Sequence, residues 1–184
     1  ILTSELYCAI LNDMKTTLVM AMTINGYVAG PNDDTEWVKD FDTFHKTVAD
    51  FGVAVMGKRT YDESVKAKAF PYNSAWNIVM THDKELLAKK EENVLYTDAS
   101  PIEIVEMVKQ KGHERLLVIG GGHVNGSFLK EGLIDEIILD VHPMIMAQGT
   151  RLFESDFPYQ YLELISYEEI NDQIIQVKYR VKQS

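Results

Sequence analysis

The feature that most constrains the fold is a short apolar run, Leu116, Leu117, Val118 and Ile119, that stops at three consecutive glycines, Gly120, Gly121 and Gly122. Four apolar residues are too few for a helix, so the pattern predicts a buried strand entering a tight turn. A helix is expected next, from about His123 to Lys130. At such a junction no Cβ stands between the backbone N–H groups and a ligand, and the helix N-terminus adds unpaired donors and a partial positive charge. A phosphate suits that place. The same glycines also suit a sharp strand-to-helix turn with no ligand at all.

A second junction of the same kind lies upstream. Val53 to Met56 predicts another short buried strand, ending in Gly57, Lys58, Arg59 and Thr60 before a helix through about Val65. A glycine, two cations and a hydroxyl at a helix start again suit a phosphate, with a solvated basic turn as the alternative. Trp76 to Met80 predicts a third strand, ending in Thr81, His82 and Asp83; a helix over Lys84 to Lys90 and a strand over Val94 to Tyr96 follow. Ser100, Pro101 and Glu103 have capping-box spacing with proline at the first helical position, and Gly112 closes that helix after Lys109 and Lys111. Strands alternating with helices imply parallel βαβ units. Ligands of open α/β sheets sit at the carboxyl ends of such strands, where residues 57–60, 81–83 and 120–123, three candidate phosphate loops, all fall.

The remaining segments frame this unit. Thr17 to Ile24 reads as the first interior strand, Asn25-Gly26 as a turn, and Tyr27 to Ala29 as resumed extended structure. Gly30 to Thr35 is a polar loop and a candidate lid. Glu36 to Asp50 carries Trp37, Val38, Phe41, Phe44 and Val48 at spacings of three and four, which predicts an amphipathic helix with Asp40 and Asp42 on the edges of its apolar stripe. His45 falls on that stripe, where a packed, hydrogen-bonded histidine is expected. Leu133 to Val141 reads as a long apolar strand. Tyr161 to Ile170 pairs with Gln173 to Lys182 through Asn171-Asp172, and Ile175, Val177, Tyr179 and Val181 are expected to form the covered face of the last strand.

With 46% hydrophobic residues in 184, one domain with a substantial core is expected over residues 14–184, preceded by a short appendage over 1–13. No apolar segment approaches membrane-spanning length, and no basic region leads into an apolar core near the start. The formal charge of -10 repels nucleic acid and anionic membranes, so an anionic ligand must be held by local donors. One cysteine, Cys8, excludes an internal disulfide and a cysteine-based metal site and fits a reducing cytoplasm. The histidines have no ligand spacing, so no metal site is expected.

The order of these features resembles the dihydrofolate reductase superfamily. It is most similar to the reductase domain of bacterial riboflavin-biosynthesis deaminase-reductases and their stand-alone relatives. The likeness runs from about Thr16 to Arg180 and is most specific at Val55 to Tyr61 and at Asn125 to Glu136. It implies an α/β fold of three layers: a mixed, mostly parallel central sheet, an antiparallel C-terminal hairpin, and helices on both faces. It also implies an NADPH-dependent reductase. Gly57, Lys58, Arg59 and Thr60 would hold cofactor phosphates, and Thr81 and His82 match the positions that recognise the ribose 2′-phosphate. Gly120, Gly121, Gly122, His123 and Val124 match the pyrophosphate turn, while Ala21 and Val28 match contacts to the nicotinamide.

Two departures bear on the substrate. The family often has Ser-x-Asp-Gly where this chain has Thr23-Ile24-Asn25-Gly26, and Gly-Gly-Gly-Thr where it has Ala147-Gln148-Gly149-Thr150. The leading expectation is hydride transfer to a small polar heterocyclic or imine-type metabolite, lined by Thr23, Asn25, Trp37 and Thr150, with Asp40, Asp42 or a water as proton source. On this reading Arg59→Ala weakens NADPH binding. The missing carboxylate at residue 25 favours a second reading, a non-catalytic NADP(H)-binding sensor or assembly module. A true dihydrofolate reductase is a weaker third, since the carboxylate registers disagree. The family resemblance and the edge offered by the C-terminal hairpin lead to the expectation of a homodimer.

Overall fold

The apolar runs become interior strands because their side chains are buried on both faces. The computed structural model describes residues 14–39, 41–73, 75–157, 159–171 and 173–182, so the appendage expected over 1–13, and Asp40, lie outside the described residues. In chain order the elements are β1 (Lys15–Thr23), β2 (Tyr27–Ala29), a 3-10 turn (Pro31–Asp33), α1 (Phe41–Phe51), β3 (Val53–Gly57), α2 (Lys58–Lys66), β4 (Trp76–Met80) and α3 (Lys84–Leu87). They continue as β5 (Val94–Thr97), α4 (Pro101–Gln110), β6 (Arg115–Val118), α5 (Gly122–Lys130), β7 (Glu136–His142), β8 (Thr150–Arg151), β9 (Leu162–Asn171) and β10 (Ile174–Val181).

Eight strands form one sheet in the order β5-β4-β3-β6-β1-β7-β10-β9, parallel from β5 to β7 and antiparallel beyond it. β2 and β8 make a separate two-stranded ribbon. Strand alternation divides the core in two. Leu18, Val53, Val55, Leu116 and Val118 pack against Ile104 and Val108 of α4 and Phe128 of α5. Val19, Ala54, Met56, Leu117 and Ile119 pack on the other face against Val48 of α1, Tyr61 of α2 and Leu86 of α3. The three-layer, mixed and mostly parallel architecture is therefore as the sequence implies. β6 lies between β3 and β1 although it follows both in sequence. That reversal opens a crevice at the strand carboxyl ends, where ligands bind in doubly wound sheets.

The capping box at α4 forms as expected: Ser100 Oγ accepts from Glu103 N–H, and the Glu103 carboxylate accepts from Ser100 N–H at 2.8 Å. Three expectations need correction. The helix predicted from Glu36 begins only at Phe41, because non-helical bonds, two local and one to a remote residue, commit residues 34–39 to a loop. Glu36 N–H donates to Asp34 Oδ1, Val38 N–H to Thr35 O, and Lys39 N–H to His142 Nε2. The helix expected to reach Lys90 ends at Leu87. The expected covered face of β10 is broken as well: Ile175 is 47% exposed while Ile174 is buried, since the β9–β10 pairing shifts register at Ile174/Ile175 and again at Lys178/Tyr179. No helix among the described residues is long and apolar enough to cross a membrane.

Glu136 ties three neighbouring strands together. Its carboxylate lies 2.9 Å from Lys15 Nζ on β1 and 3.0 Å from Lys178 Nζ on β10. Burial raises its pKa, but the two ammonium groups together outweigh burial and hold it below the ordinary glutamate value of 4.5. A depressed carboxylate stabilises the fold above its unfolded pKa, and this contribution disappears as pH falls through the folded value. Urea unfolding at a series of pH values will therefore show an acid-side stability loss in the wild type, below about pH 4.5, that is smaller in Glu136→Gln. Parallel pH profiles for the two proteins would refute this assignment.

Candidate functional site

The glycine turns after β3 and β6 meet. Gly57 N–H donates to Gly120 O at 2.8 Å, directly continuing the β3–β6 contact made by Ile119 N–H to Val55 O. Side-chain-free positions are needed for the approach. Gly120 has φ 96°, and a Cβ there would stand 2.9 Å from Met20 Sδ; a Cβ on Gly57 would stand 3.0 Å from Val124 Cγ2. Gly121 lies beside Thr60, where a Cβ would make only an ordinary contact, 3.6 Å from Thr60 Oγ1. Residues 57–60 and 120–124 thus form one cradle. Both helices that leave it, α2 and α5, begin from a glycine N-cap with no side-chain cap bond. Their first-turn N–H groups are available to an anion, the arrangement that helix N-termini offer to phosphates.

The two cations beside Gly57 point to different places. Lys58 Nζ bonds Asp62 Oδ2 at 2.7 Å. This bond, with added attraction from Asp62 and Asp83 and opposed by slight desolvation, raises the ammonium above its ordinary range. Asp83 belongs to the third turn, where Thr81 Oγ1 accepts from Asp83 N–H at 3.0 Å and Asp83 caps α3; His82 is exposed. Arg59 faces the other way. Its guanidinium lies 2.7 Å from Glu154 Oε2, 3.3 Å from Thr150 Oγ1 and 3.6 Å from Asp33 Oδ1.

The string from Gly122 to Phe128 acquires a physical reason. Asn125 is fully buried and its Nδ2 donates to Leu152 O at 2.8 Å, while Glu154 N–H donates to Gly122 O at 2.9 Å. A Cβ on Gly126 would fall 2.6 Å from Ser155 Cβ, and one on Gly122 would collide with the Arg151 carbonyl. Residues 151–155 therefore lie directly on α5. His123 is exposed on the same rim, with Nδ1 2.7 Å from Glu154 O.

The cradle opens into a cavity of about 200 Å³. Val19, Ala21, Ile119 and Asp140 line it from the sheet, Phe41, Phe44 and His45 from α1, and Thr60, Glu63 and Ser64 from α2; Val28, Asp33, Val38, Lys39, Thr150 and Gly121 are also in its lining. Of the residues read from sequence, the cavity brings together Ala21, Val28, Arg59, Thr60, Gly121 and Thr150. Others have different tasks. Thr23 Oγ1 donates to Asn25 Oδ1 and accepts from Tyr27 N–H, and Asn25 bonds the backbone of Met146 in both directions. That pair fastens the β1–β2 turn to the segment after β7, outside the cavity lining. Trp37 sets its ring edgewise to His142 at 5.1 Å, and Asp42 is exposed on α1; neither lines the cavity. His45, expected to be packed and hydrogen-bonded, is instead exposed, edge-on to Tyr72 at 5.7 Å, and joins the lining. Asp140 was missed. Its signal was a lone acid among Ile137, Ile138, Leu139 and Val141.

Sheet order and crevice define the dihydrofolate-reductase-like fold. Dihydrofolate reductase from Enterococcus faecalis, solved with NADP(H), matches with a TM-score of 0.70 at 15% identity, over 92% of this chain and 97% of that one. The chain belongs to the RibD C-terminal domain family, whose model matches residues 14–176. A Shewanella sp. PV-4 protein assigned to riboflavin biosynthesis is similar over 92% of this chain and all of its own, with 25% identity and a TM-score of 0.78. The uncharacterised protein YwjB of Bacillus subtilis is 25% identical over 150 residues, 77% of this chain and 83% of its own.

Because Gly122 lies under the Arg151 carbonyl, Gly122→Ala must push residues 151–154 off α5. The expected cost is about 1–3 kcal/mol in urea unfolding. An unchanged midpoint would mean that this segment yields freely.

Proposed function

We propose that the chain is an NADPH-dependent reductase of a small, polar, heterocyclic or imine-type metabolite, comparable to the uracil-derived intermediate reduced in riboflavin biosynthesis. The observation that carries this reading is the joined cradle of residues 57–60 and 120–124, which opens directly into a mostly apolar cavity. The residues present fit the cofactor. Uncapped N–H groups of α2 and α5 meet the needs of its phosphates, and Ala21 and Val28 leave a small-sided, apolar place for its nicotinamide. Once bound, NADPH supplies a hydride. The chain's part is to orient the two reactants and exclude water, which the apolar lining favours. The single cysteine agrees with work in a reducing cytoplasm.

For the 2′-phosphate, Lys58 is a second candidate cation beside Arg59: each already holds a carboxylate at 2.7 Å, Asp62 for Lys58 and Glu154 for Arg59, and Lys58 also feels the charge of Asp83, in the turn that holds Thr81 and His82. Fluorescence titration should show NADPH bound about tenfold or more weakly by Lys58→Ala, with NADH little affected, as expected for one charge-assisted contact. Arg59→Ala in parallel tests the assignment made from sequence. Equal affinity for the two cofactors, unchanged in both variants, would remove the 2′-phosphate site altogether.

The sensor reading keeps one observation in its favour, the amide at residue 25 where the family often has a carboxylate. Oxidation of NADPH in the presence of pterins, phosphoribosylaminouracil, small quinones or imines separates the two. Turnover with any of them supports the reductase; tight cofactor binding with no turnover supports the sensor.

A second copy of the chain is the proposed cover for β9. Leu164, Ile165 and Tyr167 are 53%, 38% and 72% exposed on this edge strand, and such edges invite strand or face pairing. Sedimentation equilibrium should return a dimer mass that Tyr167→Glu reduces toward the monomer. A monomeric wild type at micromolar concentration would refute the pairing.

A further inference from the structure

A second cavity, of about 400 Å³, lies at the other end of the sheet and is lined by Gly52, Ala75, Trp76, Asn93, Lys111 and His113. These residues stand at or just before the amino ends of β3, β4, β5 and β6, whereas the cradle stands at the carboxyl ends. Backbone bonds hold three of its walls together: Trp76 N–H donates to Gly52 O at 2.9 Å, and Asn77 N–H donates to Asn93 O at 2.8 Å. The fourth wall is the turn after α4, closed by His113 N–H on Val108 O at 3.3 Å. At Gly52, where φ is 74°, a Cβ would meet nothing within 4 Å, so space stands open in front of that turn. The cavity is built into the fold, and its volume falls in the range of small-molecule sites.

Its chemistry is the reverse of the first cavity's. Asp33, Glu63 and Asp140 line the candidate site, while this lining holds no carboxylate among the described residues. Lys111 Nζ stands 4.7 Å from the centroid of the half-buried Trp76 ring, and the His113 ring lies nearly parallel to that indole, at 6.1 Å and 18°. A cation over an aromatic face is attracted by the ring, yet its N–H groups still lack an acceptor. Among the described residues neither Lys111 nor the His113 ring has an ion pair or a side-chain hydrogen bond. The chain has 28 acidic residues against 18 lysines and arginines, so carboxylates are plentiful as counter-charges. None is spent here. The cation–π contact explains why Lys111 rests on the ring, but not why a preformed void stands beside it.

We infer that this cavity is a binding site for a small organic anion with a flat ring, an aromatic carboxylate being the simplest example. Lys111 and an N–H of His113 receive the acid group, and the ring lies against the exposed part of the Trp76 indole. Charge-assisted bonds from two donors supply the preference for an anion, and the aromatic contact supplies the preference for a flat body. A neutral ring of the same shape keeps only the second. The site is independent of the reductase reading, since none of its residues belongs to the cradle or lines the first cavity.

Proton–nitrogen NMR of the full chain reads this directly, because Trp37 and Trp76 are its two tryptophans and Trp37→Phe tells their indole signals apart. Titration with 2-naphthoate should move the Trp76 signal saturably, with a dissociation constant of about 1 mM or less, and leave the Trp37 signal in place. The neutral 2-naphthamide should bind at least about tenfold more weakly. Lys111→Gln should weaken 2-naphthoate about tenfold and leave 2-naphthamide unchanged, so the preference for the acid collapses. His113→Phe, which keeps a flat ring and removes the N–H, should narrow the same preference. If one variant does not fold, the other decides. A Trp76 signal that does not saturate by about 10 mM overturns the inference. So do equal affinities for acid and amide, equal movement of the Trp37 signal, or a preference for the acid that survives in the variants.

Discussion

The hydrogen bond from Gly57 N–H to Gly120 O joins the ends of β3 and β6, and the candidate site depends on it. Through it two helix N-termini, each without a side-chain cap, arrive at one place. The chain carries a formal charge of -10, so its distant field disfavours an anionic ligand. Charges farther away than about 8 Å are largely screened at physiological salt, whereas backbone donors act at contact. Two adjacent helix starts therefore offer an anion donors at contact range on a molecule whose net charge opposes it. Glycine suits both turns: Gly120 has φ 96° and a Cβ there would press on Met20, while a Cβ on Gly57 would press on Val124.

The cradle is coupled to the mouth of the cavity by short links. α5 carries residues 151–155 through the Asn125 bond to Leu152 and the contacts at Gly122 and Gly126. That segment presents Glu154 to Arg59, whose other partners are Thr150 and Asp33. Asp33 sits in the polar loop before α1, and farther along the same loop Lys39 N–H is fastened to His142. A ligand that drew Arg59 away from Glu154 would act on both the α5 segment and the loop. Arg59 thus has a structural task at the rim as well as any contact with a phosphate.

What the sequence made legible was local. Four-residue apolar runs ending in glycine, and the capping box at Ser100, are decided by neighbours in the chain, and the structure has them at the expected places. Residues 34–39 read as helix because Trp37 and Val38 keep helical spacing with Phe41 and Phe44. Asp34, Thr35 and the remote His142 take their backbone donors instead. β10 reads as a regular alternation because register shifts leave no mark in composition. The two glycine turns were legible because they are built from backbone. The cavity was less so, since its lining gathers side chains from β1, β7, two helices and a loop. Asp140 stood out in the sequence only as an acid in an apolar strand, and its relation to Ala21 needs the β1–β7 register to be seen.

That difference bears on what family membership can carry. Backbone amides offer the same donors whatever side chains surround them, so a cradle built from glycine turns tolerates wide sequence change. Relatives at 25% identity or less share the overall fold. The substrate half has no such tolerance. Its lining gathers side chains such as His45, Glu63 and Ser64 from two helices, beside a loop at 34–39 fixed on His142. At residue 25 the chain carries an amide committed to Met146 where its family often has an acid, while an acid stands on β7 beside Ala21. Family membership therefore carries the fold more securely than the substrate, because function resides in the side chains grafted onto the fold.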